Sequence, residues 1–150
     1  MSAAGTPAAA VPEGFVAVAM GGEFIRANGP LYLRRGDGGA RLGFRVEPRH
    51  TNPAGILHGG MMASFCDMLL PVCAHQQDAA LARRFLPTIN LQIDYLAPTP
   101  LGAWVEGSAQ VLRSTVTLAF IQGLVTADGT PVARASGIFK VGPVFERTPA

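Results

Sequence analysis

The chain has 150 residues, of which 49% are hydrophobic and 15% charged, and its formal net charge at pH 7 is +2. A chain of this length and apolar content forms one domain with a sizeable core, which excludes disorder over most of it. The small positive charge gives no support for nucleic-acid binding, although almost every basic residue is Arg, a side chain well suited to phosphate-bearing ligands.

The first third of the chain predicts a loose start followed by a hairpin. Residues 1–12 are rich in small residues and Pro and have no apolar period, which predicts a flexible lead-in to a single domain over residues 13–150. Residues 13–27 allow a short helix that is broken at Gly21 and Gly22. Residues 31–35 and 40–47 then predict two strands, with residues 36–39 as their hairpin loop.

The most apolar stretch starts at Gly60 and predicts a buried helix, because its apolar residues recur at helical spacing. Ser64 and Asp67 are its early polar side chains, and Pro71 predicts a kink or an end to its regular part. Residues 60–74 are too short for a membrane span and carry a carboxylate. Five side chains suit an acyl pocket and a helix core equally: Met61, Met62, Phe65, Leu69 and Leu70.

The second half of the chain is almost entirely strand. Residues 88–96, 104–112, 116–127 and 132–141 each show alternating or continuous apolar character, and Asp128 and Gly129 form a strong hairpin signal. Because the last four strands are joined by short turns, antiparallel pairing is expected. The sequence therefore predicts an α+β fold, in which an antiparallel sheet of about six strands wraps around one long helix.

Asp67 and the glycines before it carry the chemical argument. An ionised carboxylate in an apolar helix is unfavourable unless it is paired or hydrogen-bonded, so Asp67 has either a structural partner or a function. Gly59 and Gly60 lie at the helix start, where free backbone N–H groups and the helix dipole can polarise a carbonyl group. A carboxylate can activate water, and the combination indicates acyl transfer.

The spacing of these two groups constrains the assembly. Gly59 and Asp67 are eight residues apart, which is about 12 Å along a helix. The Asp side chain leans back toward the helix N-terminus and recovers only about 2–3 Å of this distance. If both groups act on one carbon atom, a second copy of the chain must supply one of them, which predicts a site at a twofold dimer interface.

These residues also carry a family resemblance over roughly residues 13–142. The chain has Asn52 six residues before His58, a His-Gly-Gly sequence, Asp67 nine residues after His58, and a strand from Thr88 that ends in Asp-Tyr-Leu-Ala-Pro. This pattern resembles the hotdog-fold acyl-CoA thioesterases of the phenylacetate-pathway (PaaI-like) type. The resemblance implies hydrolysis of an acyl-CoA thioester, with an aryl or medium-chain acyl group, to a free acid and CoA.

The resemblance also implies roles for individual residues. Gly59 would offer its N–H to the thioester oxygen with help from Asn52, and Asp67 of the other subunit would act as general base or nucleophile. His58 would position the substrate or the leaving sulfur, and Thr88 would orient the water. From the residues alone, His58 could instead be a helix cap, Asn52 a turn former and Thr88 an ordinary strand residue.

The remaining expectations concern ligand contacts and assembly. Gly60, Ser64 and Arg113 are the candidate substrate contacts, with Arg113 placed at a phosphate although the turn at 113–115 lacks the Gly often found in relatives. The family implies homodimers, commonly paired into tetramers, and no metal or cofactor is expected. Two other functions on the same fold are a non-catalytic acyl-CoA-binding module and a hydratase or dehydratase; the chain has no Gly-His-Phe-Pro type segment that would favour the latter.

The cysteines and the N-terminus predict a cytoplasmic protein. No basic region followed by an apolar core precedes the domain, so no signal peptide is expected. Cys66 and Cys73 are seven residues apart, about 10 Å along the helix. That distance rules out a disulfide between them. Both are expected to be small buried apolar side chains.

Overall fold

The structure is a computed structural model that describes residues 9–146. Most of the expected lead-in (1–8) and the last residues of the expected domain (147–150) lie outside the described residues. The elements in chain order are β1 (Val16–Val18), α1 (Gly22–Asn28), β2 (Leu31–Arg34), β3 (Arg41–Arg45), a short 3-10 helix (Pro48–His50), α2 (Gly59–Gln77), β4 (Thr88–Tyr95), β5 (Trp104–Ser114), β6 (Leu118–Ala127) and β7 (Thr130–Lys140).

One antiparallel sheet and the long helix α2 form the domain, which confirms the predicted α+β class. The sheet has seven strands in the order β1-β2-β3-β5-β6-β7-β4, one more than the expected six. The additional strand is β1, which occupies part of the segment predicted to allow a helix. The helix α1 starts at Gly22, directly after its N-cap Gly21. The φ angles of these two residues, 91° and 69°, are open to glycine at little steric cost and turn the chain between strand and helix.

The strand β4 occupies a sheet edge that the short connections did not predict. β5, β6 and β7 follow one another as hairpins, but β4 pairs with β7 and not with β5. The connection from β4 to β5 does not close a hairpin, because it bonds to the loop before α2, where the N–H of Leu57 donates to the Thr99 carbonyl at 2.9 Å. Among the described residues, β4 therefore has a neighbour on one side only.

The helix α2 packs against the sheet and supplies the centre of the core. Phe65 is fully buried, and its ring lies 5.0 Å from that of Phe44 on β3. The five helix residues that suited either a pocket or a core are all buried, with relative exposures of 8% or less: Met61, Met62, Phe65, Leu69 and Leu70. They are core residues, and two of them, Met61 and Met62, also border cavities.

The helix α2 does not end at Pro71, contrary to one of the two expected outcomes. It runs without interruption from Gly59 to Gln77. Proline lacks the N–H that would bond to the carbonyl four residues earlier, which here belongs to Asp67. The loss is one hydrogen bond on the half-buried side of the helix, and packing of the opposite face against the sheet is unaffected by it. None of the helices among residues 9–146 combines the length and apolar surface that a membrane span requires.

Close packing of α2 on the sheet depends on glycines in the strands. A Cβ atom on Gly107 of β5 would lie 2.5 Å from Leu69 Cδ2 and 3.1 Å from the Leu124 carbonyl oxygen. Leu69 is fully buried and cannot move away. The absence of a side chain at this position therefore sets how closely the helix approaches the sheet.

We predict that Gly107→Val lowers the free energy of unfolding by about 1–3 kcal/mol, the usual effect of forcing extra carbon atoms into a close-packed core. Gly36→Val is the matched control, because a Cβ at Gly36 meets no atom within 4 Å. Urea unfolding of both variants tests this. Equal stability of the two variants would show that the helix can shift to accept the larger side chain.

Candidate active site

The first turn of α2 presents one free backbone donor. His58 is the N-cap residue, and its Nδ1 accepts a hydrogen bond from the N–H of Gly60 at 2.8 Å. The N–H of Gly59 has no hydrogen-bond partner within residues 9–146. Because Nδ1 of His58 is an acceptor, the neutral ring carries its proton on Nε2. His58 is thus a structural cap, and it leaves the Gly59 amide exposed at the positive end of the helix dipole.

Asn52 shapes the loop that leads to this helix. Its side-chain oxygen accepts hydrogen bonds from the N–H groups of Ala54 at 3.0 Å and Ile56 at 3.3 Å. Asn52 is therefore a turn former, as the residues alone allowed. Its oxygen is used within the loop, whereas its NH₂ group donates to no group within the described residues. That NH₂ group remains able to bind a ligand.

Asn52 and Gly59 border the same cavity of about 440 Å³, which we call the amide cavity. The hydroxyl of Tyr95, at the end of β4, donates to the Gly59 carbonyl at 2.6 Å and fixes this residue from the other side. Partial desolvation raises the pKa of Tyr95, and the Cys66 thiol raises it further. The Tyr95 hydroxyl therefore stays protonated and able to donate this bond at neutral pH.

Asp67 lies half-buried on α2 beside a different cavity. The Thr88 hydroxyl donates to Asp67 Oδ1 at 2.5 Å, and no arginine within residues 9–146 forms an ion pair with this carboxylate. Both residues border a cavity of about 790 Å³, which we call the carboxylate cavity. Thr88 occupies one carboxylate oxygen and orients the group, which leaves Oδ2 for a water molecule or a substrate.

The amide cavity and the carboxylate cavity have no lining residue in common. The helical rise places the Gly59 amide and the Asp67 backbone about 12 Å apart. Within one chain, the two predicted catalytic groups therefore face different spaces. A ligand in either cavity of a single chain contacts only one of them.

The other predicted substrate contacts lie near opposite ends of α2. The N–H of Gly60 donates to His58 Nδ1, and the Ser64 hydroxyl donates to the Gly60 carbonyl at 2.9 Å within the helix. Both border a third cavity of about 320 Å³ together with His58. Arg113 is exposed on β5 near the last turn of α2, where Ser114 donates to Asp78 at 2.6 Å. That end of the helix is about 28 Å from Gly59.

Two residues that sequence reasoning missed hold the helix start in place. His50 is 2% exposed. Its Nδ1 accepts from the N–H of Glu47 at 3.0 Å, its Nε2 lies 2.6 Å from the Asn28 carbonyl, and its own carbonyl accepts from the N–H of His58 at 2.8 Å. Tyr95 is the second. Tyr95 stands in the Asp-Tyr-Leu-Ala-Pro segment of the family pattern, which implied no role for it, and a buried histidine in a loop carries no sequence signal.

Both cysteines are free and buried, as expected from their spacing. Desolvation, together with the charge of Asp67, raises the pKa of the Cys66 thiol to about 12. Burial raises the pKa of Cys73 to about 11. Both thiols stay protonated at neutral pH, so Cys66 is no nucleophile despite its position next to Asp67.

Comparison with known proteins assigns the family. The family model described as "Thioesterase superfamily" matches residues 54–133, which are 80 of the 150 residues. A Pseudomonas aeruginosa protein whose name assigns it provisionally to the esterases is 27% identical over 132 residues, which are 86% of this chain and 96% of that protein. Human acyl-coenzyme A thioesterase 13 is 32% identical over 95 residues, which are 62% of this chain and 64% of the human protein.

Solved structures confirm the fold. A mutant of the phenylacetic acid degradation protein PaaI from Thermus thermophilus superposes with a TM-score of 0.63 at 24% identity, over 79% of this chain and 97% of that one. A hypothetical thioesterase from Streptococcus pneumoniae, crystallised with coenzyme A, gives a TM-score of 0.67 at 17% identity, over 77% and 88% of the two chains. With the hotdog fold confirmed, the chain belongs to the thioesterase superfamily and is a thioester hydrolase.

Proposed function

We propose that the protein hydrolyses acyl-CoA thioesters, with an aryl or medium-chain acyl group, to a free acid and CoA. The observation that carries the proposal is a pair of polar groups in fixed positions. The Gly59 amide at a helix N-terminus has no hydrogen-bond partner within residues 9–146, and the Asp67 carboxylate is oriented by Thr88. The name of the human relative and the coenzyme A in the Streptococcus structure support CoA as the thiol. The reaction needs no cofactor or metal, because a carboxylate and water suffice.

The edge strand β4 supports a site shared between two copies of the chain. β4 is paired with β7 on one side, and its large side chains Ile89 and Tyr95 are 58% and 55% exposed. A sheet edge with free backbone groups and exposed apolar side chains is suited to pairing with another strand. A second copy of β4, related by a twofold axis, would continue the sheet across the dimer.

Such pairing would bring the two catalytic groups together. A twofold axis pairs identical strands antiparallel, so the Thr88 end of one β4 lies toward the Tyr95 end of the other. Thr88 is bonded to Asp67, and Tyr95 is bonded to Gly59. Asp67 of one chain would therefore approach Gly59 of the partner subunit, which accounts for the two separate cavities within one chain.

The chemistry follows from these positions. The Gly59 N–H and the helix dipole stabilise negative charge on the thioester oxygen. Asp67 removes a proton from water, the water oxygen attacks the carbonyl carbon, and the carbon–sulfur bond breaks to release CoA thiolate, which then takes up a proton. Alternatively, Asp67 attacks the carbon directly, the carbon–sulfur bond breaks to release CoA thiolate, and water hydrolyses the resulting mixed anhydride to the free acid and Asp67. By the family resemblance, His58 positions the substrate or the leaving sulfur through its Nε2–H. Asn52 borders the substrate from the amide cavity, and Gly60 and Ser64 border it from the third cavity beside His58.

Assembly and location complete the proposal. By the family resemblance, two dimers pair into a tetramer, and Arg113 contacts a CoA phosphate from its exposed position on β5. Two free and buried thiols suit a reducing compartment, which supports a cytoplasmic location for the protein. By the same resemblance, which covers roughly residues 13–142, the chain acts as one thioesterase domain.

We predict that Asp67→Asn lowers kcat by about 10²–10⁴-fold, the usual contribution of a general base, with little change in CoA binding. Thiol release is measured on a panel of phenylacetyl, hydroxybenzoyl and aliphatic CoA thioesters. Thr88→Val should lower kcat less, whereas Thr88→Ser keeps the donor and should retain activity. Unchanged kcat in Asp67→Asn would remove this residue from the mechanism, and tight CoA binding without any turnover would indicate a binding module.

We predict that Gly59→Pro lowers kcat by about 10²–10³-fold, because it removes one oxyanion donor. Proline is well accepted at the first position of a helix. The preceding residue, His58, already has the extended backbone that proline requires, with φ −64° and ψ 133°. Gly59→Ala is the matched control, since it keeps the N–H and its Cβ meets only Tyr95 atoms at 3.5 Å or more.

Mixed dimers of these variants test whether the site is shared. A chain with Asp67→Asn and a chain with Gly59→Pro, paired together, form one site with both groups intact and one site with neither. Random mixing should therefore restore about one quarter of wild-type activity, because half of the dimers are mixed and each has one intact site of two. No recovery, with mixed dimers demonstrated by mass spectrometry, would mean that each chain builds its own site.

Variants of His58 separate its two roles. His58→Asn keeps a capping side chain and should unfold like the wild type, whereas His58→Ala should lose about 1 kcal/mol of stability. Both lose the Nε2–H, so we predict that both lower kcat by about tenfold or more. Urea unfolding and thiol release on the same preparations test this. If His58→Asn kept the kcat of the wild type, His58 would have no role in catalysis and would serve only as the helix cap.

A further inference from the structure

The carboxylate cavity is an elongated channel with two distinct ends. One wall is α2 from Asp67 to Gln76, which spans about 13 Å. The opposite wall is the segment 82–88, which runs in the opposite direction: Thr88 bonds to Asp67 at one end, and the Arg84 carbonyl lies 2.8 Å from His75 Nε2 at the other. A ligand that reaches Asp67 and extends along this channel therefore ends beside His75 and Gln76.

The middle of this cavity is apolar. Met68 and Val72 project from α2, and Leu86 faces them from the opposite wall. Phe145 closes the side, with its ring 5.5 Å from that of Phe85 in an edge-to-face contact. Backbone hydrogen bonds hold this closing segment in place, from the Phe145 N–H to the Arg83 carbonyl at 2.7 Å and from the Phe85 N–H to the Pro143 carbonyl at 2.9 Å. The channel therefore suits a hydrocarbon chain or ring.

The far end is cationic. Arg35 and Arg83 both line the cavity there, and Arg35 Nε donates to Gln76 Oε1 at 3.1 Å. Within residues 9–146 neither guanidinium belongs to an ion pair, and the one carboxylate that lines the cavity, Asp67, lies at the opposite end. Two unpaired guanidinium groups beside apolar walls favour an anion with planar oxygens, such as a carboxylate.

We propose that the preferred substrates are CoA thioesters of dicarboxylic acids, whose distal carboxylate binds Arg35 and Arg83 while the thioester lies at Asp67. This substrate class rests on the proposed thioesterase function. The anion could also be a CoA phosphate, but the apolar walls between the two ends match a methylene chain. The pantetheine arm of CoA carries two amides that would need polar partners along the same walls.

The test compares matched substrates with and without the distal carboxylate. Suberoyl-CoA and octanoyl-CoA have the same chain length, as do adipoyl-CoA and hexanoyl-CoA. The wild type should have a lower KM for the dicarboxylic member of the longer pair. The double variant Arg35→Gln, Arg83→Gln should raise the KM for suberoyl-CoA about tenfold with kcat unchanged, and should leave octanoyl-CoA unaffected, because only the former loses an ionic contact.

The double variant Arg26→Gln, Lys140→Gln is the charge-matched control, since both residues are exposed and lie outside this cavity. Equal KM values for suberoyl-CoA and octanoyl-CoA in the wild type would overturn the proposal. A rise in KM for every thioester, with weaker inhibition by free CoA, would overturn it too and would assign the guanidinium groups to a CoA phosphate. Hydrolysis of neither pair, with CoA still bound, would instead refute the thioesterase function on which the proposal rests.

Discussion

The fixed distance between Gly59 and Asp67 along α2 decides how a site that uses both residues can be assembled. Helix geometry holds the Gly59 amide and the Asp67 backbone about 12 Å apart, and no rotamer of Asp67 closes that distance. The same helix supplies the core, so it cannot bend to bring the groups together without loss of packing. Under the proposed function, a centre that uses both groups is assembled from two helices, and the edge of β4 that is unpaired within residues 9–146 is where a second copy would add its helix.

Core packing and the proposed chemistry use opposite sides of α2. One face is buried against the sheet. It lies so close to β5 that position 107 has no room for a residue larger than Gly. The other face carries Asp67, Met68, Pro71 and His75, all half-buried. The carboxylate on this second face receives a hydrogen bond from a neutral hydroxyl group. This donor is neutral, so it orients Asp67 without adding a second charge beside the carboxylate.

Residues close in sequence were predicted better than contacts between distant segments. The helical period after Gly60, the alternation in residues 88–96 and the hairpin signal at Asp128 and Gly129 led to the correct elements. The edge position of β4 was missed, because its pairing with β7 joins segments that are distant in the sequence and leaves no local pattern. Pro71 was misread as a possible helix end, since helix propensity carries no information about packing on the sheet.

The candidate site shows the same division. The roles of His58 as a cap and Asn52 as a turn former follow from local geometry, and both were among the interpretations that the residues allowed. The donors that orient the site come from elsewhere: Thr88 and Tyr95 lie at opposite ends of β4, and His50 lies in the preceding loop. The family resemblance singled out Thr88, whereas Tyr95 and His50 required the structure.

The positions along α2 that can hold the far end of a ligand are separated by whole helical turns. Side chains return to the same face of a helix only once per turn, about every 5.4 Å. Val72 lies one turn before Gln76, the residue that holds Arg35 at the far end. Relocating that anchor to another position on the same face would therefore shorten or lengthen the channel in whole turns. Divergence within this architecture would change the accepted ligand length in steps of several carbon atoms, and finer adjustment would have to come from the opposite wall.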